Sequence, residues 1–517
     1  MGAQVLPTIG ASGTSRPWWD RRWFLALIVI ATMLPLVYPA IPPLVDLPGH
    51  IGRYRIELDL AHSPSLQRFY GYEWAPIGNL GVDLLIIPLA KLFGLEPAAK
   101  LIVLAIPALT AIGMLWVARE VHGRIPPTAF MALPFIYSFP FLFGFLNFSL
   151  SVALAFLSFG LWLHLARTGR TTLRGWLFAL IAPTIFFCHT YGWGLLGLMC
   201  FTADVVRLRD IGRSWVATIV QAALNASVMV LPVLFMAAWP VGSHGGVASG
   251  WFDWDAKWVG LLGVLRDRWG PFDVSSLELA AVVFGFSLLS PKLALSRKLI
   301  LVAILLALLF VLLPRFIYES AYADERLLPV LFAVALLAIR LSDPSDVRFG
   351  NWVALLALLF FAARLAGTTV SFAMAANDQR AKLAALDQIP QGARVASFFG
   401  LPYAEPWSLQ RNSHLGGLVI ARREGFSNDQ WITASHNLLV LKYREAGTFA
   451  ANPSQVVRPN GTHDGVYRTI NEALAQLPRS GFDYVWLIDA PSFDKGLVGD
   501  LQPVWSGPGT VLYRIPH

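Results

Sequence analysis

A short stretch after the first long apolar run carries the residue types that acid–base chemistry on an anionic substrate requires. Asp46, His50, Arg53 and Glu57 follow one another closely, with Pro48 among them. Proline favours the first turn of a helix because its φ angle is already helical, so we predict a helix that opens at Pro48. At helical spacing His50, Arg53 and Glu57 share one face of this helix, and Asp46 lies just before its first turn. A carboxylate, an imidazole and a guanidinium therefore converge, which suits proton transfer on a substrate with a negative group.

Each of these residues also has a plainer interpretation. Asp46 could cap the helix that starts at Pro48. His50 could be an ordinary hydrogen-bonded residue, and Arg53 could extend towards lipid headgroups. Glu57 could simply pair with an arginine. Arg53 shares the face of His50, and for that reason we assign it to the site.

Other candidates lie at the predicted outer ends of later apolar runs. Arg326 stands in an Arg-Leu-Leu-Pro sequence, and a guanidinium binds phosphate through two parallel hydrogen bonds. Arg315 lies close by and is a second candidate. His189 occupies a turn inside the apolar part, where ionisable residues tend to be functional. The Asp253–Asp255 pair has a spacing that can hold a divalent ion, but its tryptophan-rich surroundings are more typical of an interfacial anchor.

The composition is that of a membrane protein. Hydrophobic residues make up 56% of the 517 residues and charged residues only 14%, whereas soluble domains carry about a quarter charged residues. The net charge of +8 is explained by basic cytoplasmic loops, so no nucleic-acid partner is predicted. Cys188 and Cys200 both lie in apolar runs and are expected to be core residues.

The apolar runs predict about eleven membrane spans, with the N-terminus in the cytoplasm. They are expected near 23–40, 99–118, 126–145, 148–166, 174–190, 192–206, 215–239, 275–291, 298–314, 326–341 and 350–370. The run Leu80–Phe93 is short and carries Asp83 and Lys91, so we interpret it as an interfacial helix. Counting it as a span would place the arginine-rich loops outside, against the positive-inside rule.

The segment after residue 370 is polar and predicts a small α/β domain. Strands are expected at Arg394–Phe398, Tyr484–Ile488 and Thr510–Arg514, where β-branched and aromatic residues are frequent. Helices are expected near Gln379–Leu386, Thr433–Tyr443 and Thr469–Leu477. The predicted organisation is a membrane domain over 1–370, whose first outer loop is 42–98, and an outer α/β domain over 371–517.

Several motifs resemble the GT-C superfamily of membrane glycosyltransferases. They are the acidic residue just after the first span, the interfacial helices, the Arg-Leu-Leu-Pro entry and the soluble C-terminal domain. A nearer resemblance is to a poorly characterised bacterial group with an Asp-x-Pro-x-His-x-x-Arg motif, here Asp46, Pro48, His50 and Arg53. That group also has a Trp-Ala-Pro-x-x-Asn-Leu run, here Trp74 to Leu80, and a Gly-Phe-Leu-Asn turn that ends at Asn147.

The resemblance implies roles for the candidate residues. Asp46 would be the general base with His50 beside it, and Arg53, Arg326, Arg315 and His189 would bind the donor phosphate. Glu57 and Asn147 would contact substrate. The sequence departs from the superfamily at two places: Asn147 stands where many members have an acidic residue, and His189 where several have a lysine.

The predicted function is transfer of a sugar from a polyprenyl-phosphate lipid to a hydroxyl group of a glycan, lipid or protein. We expect inversion at the sugar, no cofactor, and a site on the periplasmic face of a bacterial inner membrane. A transporter or flippase for a lipid-linked or polar solute is the main alternative. Against it, the ionisable residues cluster on one side of the membrane, and the mid-membrane stretches are poor in them. A sensor anchored by its spans is a further alternative, although eleven spans exceed what an anchor needs.

Overall fold

The computed structural model describes residues 16–238, 248–317, 320–402, 406–432, 437–460 and 466–517. A mostly helical part comes first in the chain, and a seven-stranded sheet with short helices occupies its C-terminal part. The predicted class, a polytopic helical membrane domain with a small α/β domain, is confirmed by this architecture.

The helices of the first part vary widely in length. They are α1 (Arg22–Ala31), α2 (Leu34–Val37), α3 (Leu47–Asp59), α4 (Pro64–Phe69), α5 (Gly81–Phe93), α6 (Leu95–His122), α7 (Phe139–Phe143), α8 (Leu146–Arg167), α9 (Thr171–Cys188), α10 (Thr190–Asp210), α11 (Trp215–Ala226), α12 (Leu231–Ala238), α13 (Trp254–Leu262), α14 (Gly270–Leu289), α15 (Arg297–Leu312), α16 (Leu328–Leu337) and α17 (Val347–Leu383). Among them lie three short strands, β1 (Tyr70–Tyr72), β2 (Leu293–Leu295) and β3 (Ile339–Leu341).

Six helical segments of the described chain are long and apolar enough to cross a bilayer. They are Leu95–His122, Leu146–Arg167, Thr171–Cys188, Trp215–Leu234, Gly270–Leu289 and Val347–Gln388. Each of the six coincides with one of the predicted spans, and residue 239 of the span predicted at 215–239 lies outside the described residues. The span predicted at 192–206 falls on the 21-residue α10, which is not among the six, and the remaining predicted spans fall on shorter helices. At 126–145, a 3₁₀ segment with an internal Pro134 precedes α7. Each proline removes a backbone donor, and this segment carries Pro134 in addition to Pro126 and Pro127 at its start, whereas α6 remains continuous with the single internal Pro107.

The segment predicted as the first outer loop, 42–98, contains the helices that the sequence predicts. Helix α3 begins at Leu47 with Pro48 in its first turn, and the short apolar piece forms the 13-residue helix α5. Strand β1 leaves this loop and pairs in antiparallel fashion with a strand of the C-terminal part, with Tyr70 opposite Leu441. The loop is therefore held between the membrane helices and the C-terminal domain.

The C-terminal domain is a mixed sheet that follows the long helix α17. Its elements are β4 (Arg394–Gly400), α18 (Gly417–Arg423), β5 (Phe426–Ser427), β6 (Leu439–Leu441), β7 (Val456–Arg458), β8 (Arg468–Thr469), α19 (Ile470–Gln476), β9 (Tyr484–Ile488), β10 (Gln502–Gly507) and β11 (Thr510–Arg514). The order in the large sheet is β10-β11-β9-β4-β7-β8, and β5 also pairs with β4. Strand β4 runs parallel to β5, β7 and β9. The predicted strands at Arg394, Tyr484 and Thr510 are present.

One local prediction in this domain is wrong. A helix was expected near Thr433–Tyr443, but its described residues include strand β6, which pairs with β1. Residues 433–436 lie outside the described residues. The strand forms because it finds a partner more than three hundred residues earlier in the chain, and such pairing outweighs local propensity. The boundary expected at residue 370 falls within the continuous helix α17, and the sheet begins at Arg394.

The C-terminal domain is docked tightly on α3. Adding a Cβ at Gly52 would place it 2.5 Å from the carbonyl oxygen of Gly417, and one at Gly417 would lie 2.5 Å from that of Pro48. Glycine is therefore required where α3 and α18 meet. The Gln430 side chain also donates a hydrogen bond to the Gly49 carbonyl, at 3.1 Å. This contact fixes the position of the C-terminal domain relative to the residues at the start of α3.

Candidate active site

A cavity of about 600 Å³ lies where α3, the turn before α8 and the C-terminal domain meet. Six of the eight candidate residues line it: Asp46, His50, Arg53, Asn147, His189 and Arg326. Glu57 and Arg315 do not line it. The candidate residues are spread over almost three hundred positions of the sequence, and the fold brings six of them to one cavity.

Asp46 immediately precedes α3, and its side chain makes no capping hydrogen bond to that helix. Its backbone N–H donates to the carbonyl of Phe143 at 2.9 Å. The chain approaches closely at the next residue: Gly144 has φ +108°, and a Cβ there would lie 3.0 Å from the Cβ of Asp46. Burial raises the pKa of the Asp46 carboxyl well above its usual value, and the positive charge of Arg326 opposes this rise. A carboxylate held in this way, without a capping bond, is available as a general base.

Arg326 lines the same cavity, and it has no acidic partner among the residues that the structure describes. It is 6% exposed, and its Nη2 donates to the backbone carbonyl of Ala321 at 3.1 Å. Its guanidinium carbon lies 4.3 Å from the ring centroid of Phe145. Within the described ranges, no carboxylate lies within ion-pair distance of Arg326, and its Nε has no hydrogen-bond partner. A buried guanidinium with an unsatisfied N–H is well suited to bind an anionic group such as phosphate.

Arg53 is paired within the protein. Its Nη1 lies 2.7 Å from Oδ1 of Asp83, and its Nη2 donates to Oδ2 at 3.3 Å. Asp83 is completely buried on α5, and Arg53 is 3% exposed. The charge of Arg53 is thus already paired with Asp83, although its Nε, like that of Arg326, has no hydrogen-bond partner among the described residues. Sequence reasoning treated Asp83 only as a sign that α5 is interfacial, and nothing in its spacing indicated this partner.

Asn147 holds the same pair in place. Its Nδ2 donates to Oδ2 of Asp83 at 3.1 Å and to the Asn79 carbonyl at 2.7 Å. Its Oδ1 accepts from the backbone N–H of Val82 at 2.6 Å. All of its side-chain polar atoms therefore serve the start of α5. The residue lines the cavity, but its hydrogen bonds are structural.

The remaining candidates have well-defined positions. The Nδ1 of His189 accepts from the backbone N–H of Tyr191 at 3.1 Å and so caps α10. Arg315 pairs with Oε1 of Glu325 at 2.5 Å. Glu57 lies on α3 beyond the cavity, where burial, together with the charge of Asp83, raises the pKa of its carboxyl to about 8.

The C-terminal domain contributes two residues that sequence reasoning missed. His414 places its Nε2 3.7 Å from Oδ1 of Asp46, and its ring lies 4.4 Å from that of Trp431. Trp431 also lies near His50, with ring centroids 5.2 Å apart. Burial lowers the pKa of His414 to about 4, so its imidazole is neutral near pH 7. No local motif connects residue 414 with residue 46, so only the fold could identify the pair.

The cavity is lined by more basic than acidic side chains and is partly aromatic. Asp46 is the one carboxylate among its described lining residues, against four arginines and three histidines: Arg53, Arg266, Arg326, Arg458, His50, His189 and His414. Four phenylalanines lie along another part of its wall: Phe139, Phe143, Phe145 and Phe148. Such a chamber favours a ligand that combines a negatively charged group with an apolar portion.

The residues of the Asp-x-Asp pair have helical roles. The carboxylate of Asp253 accepts from the backbone N–H of Ala256 at 3.0 Å and caps α13, and Asp255 lies in the first turn. Among the described residues, no group of three or more histidine, cysteine or acidic side chains is arranged to hold a metal ion.

Comparisons with known proteins give similarity only at the level of structure. No protein-family model and no curated protein matches the chain. The crystal structure of ArnT from Cupriavidus metallidurans in the apo state is similar with a TM-score of 0.49 and 14% identity, over 95% of this chain and 97% of that one. The same protein bound to undecaprenyl phosphate is similar with a TM-score of 0.48 and 13% identity, over 95% and 96%.

Proposed function

We propose that this chain is a membrane glycosyltransferase that moves a sugar from a polyprenyl-phosphate lipid to a hydroxyl acceptor. The observation that carries the proposal is that one cavity holds both groups: among the described residues, Asp46 is its one lining carboxylate, and Arg326 is a buried cation with which no carboxylate forms an ion pair. A transferase of this kind needs a base for the acceptor and a cation for the leaving phosphate. The site faces the periplasm of a bacterial inner membrane, as the distribution of basic loops indicates.

The reaction follows from these two groups. Asp46 takes the proton of the acceptor hydroxyl as its oxygen attacks the anomeric carbon of the sugar. A new carbon–oxygen bond forms, and the bond between the anomeric carbon and the phosphate oxygen breaks. The phosphate leaves with its electron pair and is stabilised by the guanidinium of Arg326. A single displacement of this kind inverts the configuration of the sugar, and it needs no carboxylate nucleophile.

The two substrates are expected to approach from different sides. The phenylalanine part of the wall suits the first isoprene units of the carrier lipid. A second cavity of about 610 Å³ lies at the carboxyl ends of β4 and β9 and shares Phe399, Leu401, Leu409 and Gln410 with the first. Open α/β sheets bind ligands at this edge, so we assign the glycan, lipid or protein acceptor to the second cavity.

The decisive experiment is a transfer assay with purified protein in lipid nanodiscs. Radiolabelled undecaprenyl-phosphate sugars are supplied with membrane extract of the source cell as acceptor. Wild-type protein should transfer label, and Asp46→Asn should reduce the rate by about 10²–10⁴-fold because the base is lost. Asp59→Asn is the matched control, since it makes the same change at the far end of α3 and should leave the rate unchanged.

The outcomes separate the two main candidates. Loss of transfer in Asp46→Asn, with undecaprenyl phosphate still bound, supports the transferase and its base. Equal transfer by both proteins refutes the role of Asp46. Binding of a labelled carrier by the wild type without any transfer, but with movement of the carrier between leaflets, would favour a flippase.

A further inference from the structure

The catalytic carboxylate is contacted from outside the membrane part of the chain. Oδ1 of Asp46 lies 3.7 Å from Nε2 of His414, which precedes α18 of the C-terminal domain. Both residues are more than nine-tenths buried: Asp46 is 7% exposed and His414 is 6% exposed. The separation is slightly too long for a hydrogen bond, and a movement of less than 1 Å would make one.

The segment that carries His414 is fixed on several sides. The backbone N–H of Gly417 donates to the His414 carbonyl at 3.0 Å, and Trp431 lies against the imidazole. Earlier in the segment, the Arg411 carbonyl accepts from Nε2 of Gln379 at 2.7 Å. The close glycine contact between α3 and α18 also sets the distance between Asp46 and His414. This arrangement gives the imidazole little freedom except a short movement towards the carboxylate.

Among the described imidazole and basic side chains, only His414 forms an ion-pair contact with the Asp46 carboxylate; His50, one helical turn further along α3, lines the cavity but makes no such contact. No hydrogen-bond donor among the described residues contacts this carboxylate, and the Asp46 side chain does not cap α3. Arg326 acts on Asp46 through its charge, but its observed hydrogen bond goes to Ala321. Arg53 is committed to Asp83. A general base needs a fixed orientation, and His414 is the neighbour placed to provide it.

We propose that His414 is a positioning residue for Asp46: its Nε2–H donates to the carboxylate when substrate is bound and aims the other oxygen at the acceptor hydroxyl. This inference rests on the proposed transferase function. It also gives the C-terminal domain a direct part in the site, because the membrane domain alone would leave the base unoriented. His414 does not touch the reacting atoms in this scheme.

The pH dependence of transfer distinguishes positioning from simple packing. A hydrogen bond donated to a carboxylate stabilises its charged form and lowers its pKa. The other charged or histidine groups that line the cavity with Asp46 are His50, Arg53, His189, Arg266, Arg326 and Arg458. Burial lowers the pKa of His50 and of His414, which favours their neutral forms. Removing the donor should therefore move the acidic limb of kcat to higher pH.

Two substitutions make a matched pair. Glutamine at this position, His414→Gln, can place its amide nitrogen near the site of Nε2, whereas His414→Asn is polar but too short. We expect His414→Asn to shift the acidic limb upward by about one pH unit and to lower kcat more than it raises KM. His414→Gln should retain most of kcat and the wild-type pH profile. His62→Asn, on an exposed part of the first outer loop, is the control.

Each outcome of these experiments either supports or overturns the positioning role of His414. A normal pH profile for folded His414→Asn, or an acidic limb shifted to lower pH, overturns the positioning role. If His414→Asn does not fold in nanodiscs, the comparison of His414→Gln with wild type decides, and failure of glutamine to retain kcat overturns the role. If wild type transfers no sugar, the proposed function fails and this inference falls with it. Transfer that depends on Asp46 but not on His414 rejects this inference alone.

Discussion

Arg53 and Arg326 line one cavity, and both are almost completely buried, yet only Arg53 has an acidic partner among the described residues. Arg53 forms two hydrogen bonds to the carboxylate of Asp83, which Asn147 holds from the other side. Arg326 has a backbone carbonyl and aromatic faces around it, and none of the described carboxylates pairs with it. Burial and residue type are therefore not enough to identify a ligand-binding arginine. The partner decides whether the charge is structural or available.

The first way to test this comparison is to remove the structural charge. Arg53→Gln leaves Asp83 buried without its cation, and breaking a buried ion pair in this way costs about 3–5 kcal/mol. We expect the midpoint of thermal unfolding in detergent to fall sharply. The double variant Arg53→Gln with Asp83→Asn should recover much of that loss, because no uncompensated charge remains. A stable Arg53→Gln protein that no longer binds undecaprenyl phosphate would break the distinction between the two arginines.

The second test removes the available charge. Arg326→Gln should lower the transfer rate by about 100-fold, since a donor to the leaving phosphate is lost. Its thermal stability should change less than that of Arg53→Gln, because none of the described carboxylates forms an ion pair with Arg326. Arg326→Lys should give an intermediate rate, because lysine restores the charge but cannot form two parallel hydrogen bonds to the phosphate.

Arg297→Gln is the control for this second test, because Arg297 pairs with Asp210 through exposed side chains and does not line the cavity. Its transfer rate should equal that of the wild type. A transfer rate for Arg326→Gln that matches the Arg297→Gln control would show that the phosphate is bound elsewhere.

The sequence was informative where the signal is local. Pro48 located the first turn of α3, the short length of the Leu80–Phe93 run predicted α5, and the strands at Arg394 and Tyr484 were recognised from their β-branched and aromatic residues. These features depend on neighbours in the chain, so periodicity and composition reveal them.

The partners of the candidate residues were not predictable in the same way. Asp83 lies 30 positions from Arg53 on another helix, and His414 reaches Asp46 only because the two domains dock through glycines. Strand β6 lies where the sequence predicts a helix. It forms a strand because its partner, β1, belongs to the segment 42–98, far away in the sequence. Such contacts are set by tertiary packing, which a single sequence does not encode in any local pattern.

Glu57 provides the last and smallest test of the comparison. If Arg53 is fully engaged with Asp83, it cannot also neutralise Glu57, and burial then raises the pKa of the Glu57 carboxyl to about 8. A carboxyl whose pKa is raised on folding binds a proton more tightly in the folded state. Its contribution to stability is complete below the unfolded pKa of about 4.5 and is lost as the pH rises through about 8. We therefore expect wild-type protein to lose thermal stability between pH 5 and pH 8, and Glu57→Gln to lose less over that range. An identical pH dependence in both proteins would mean that Glu57 is ionised and shares the charge of Arg53, which would leave Asp83 only partly compensated.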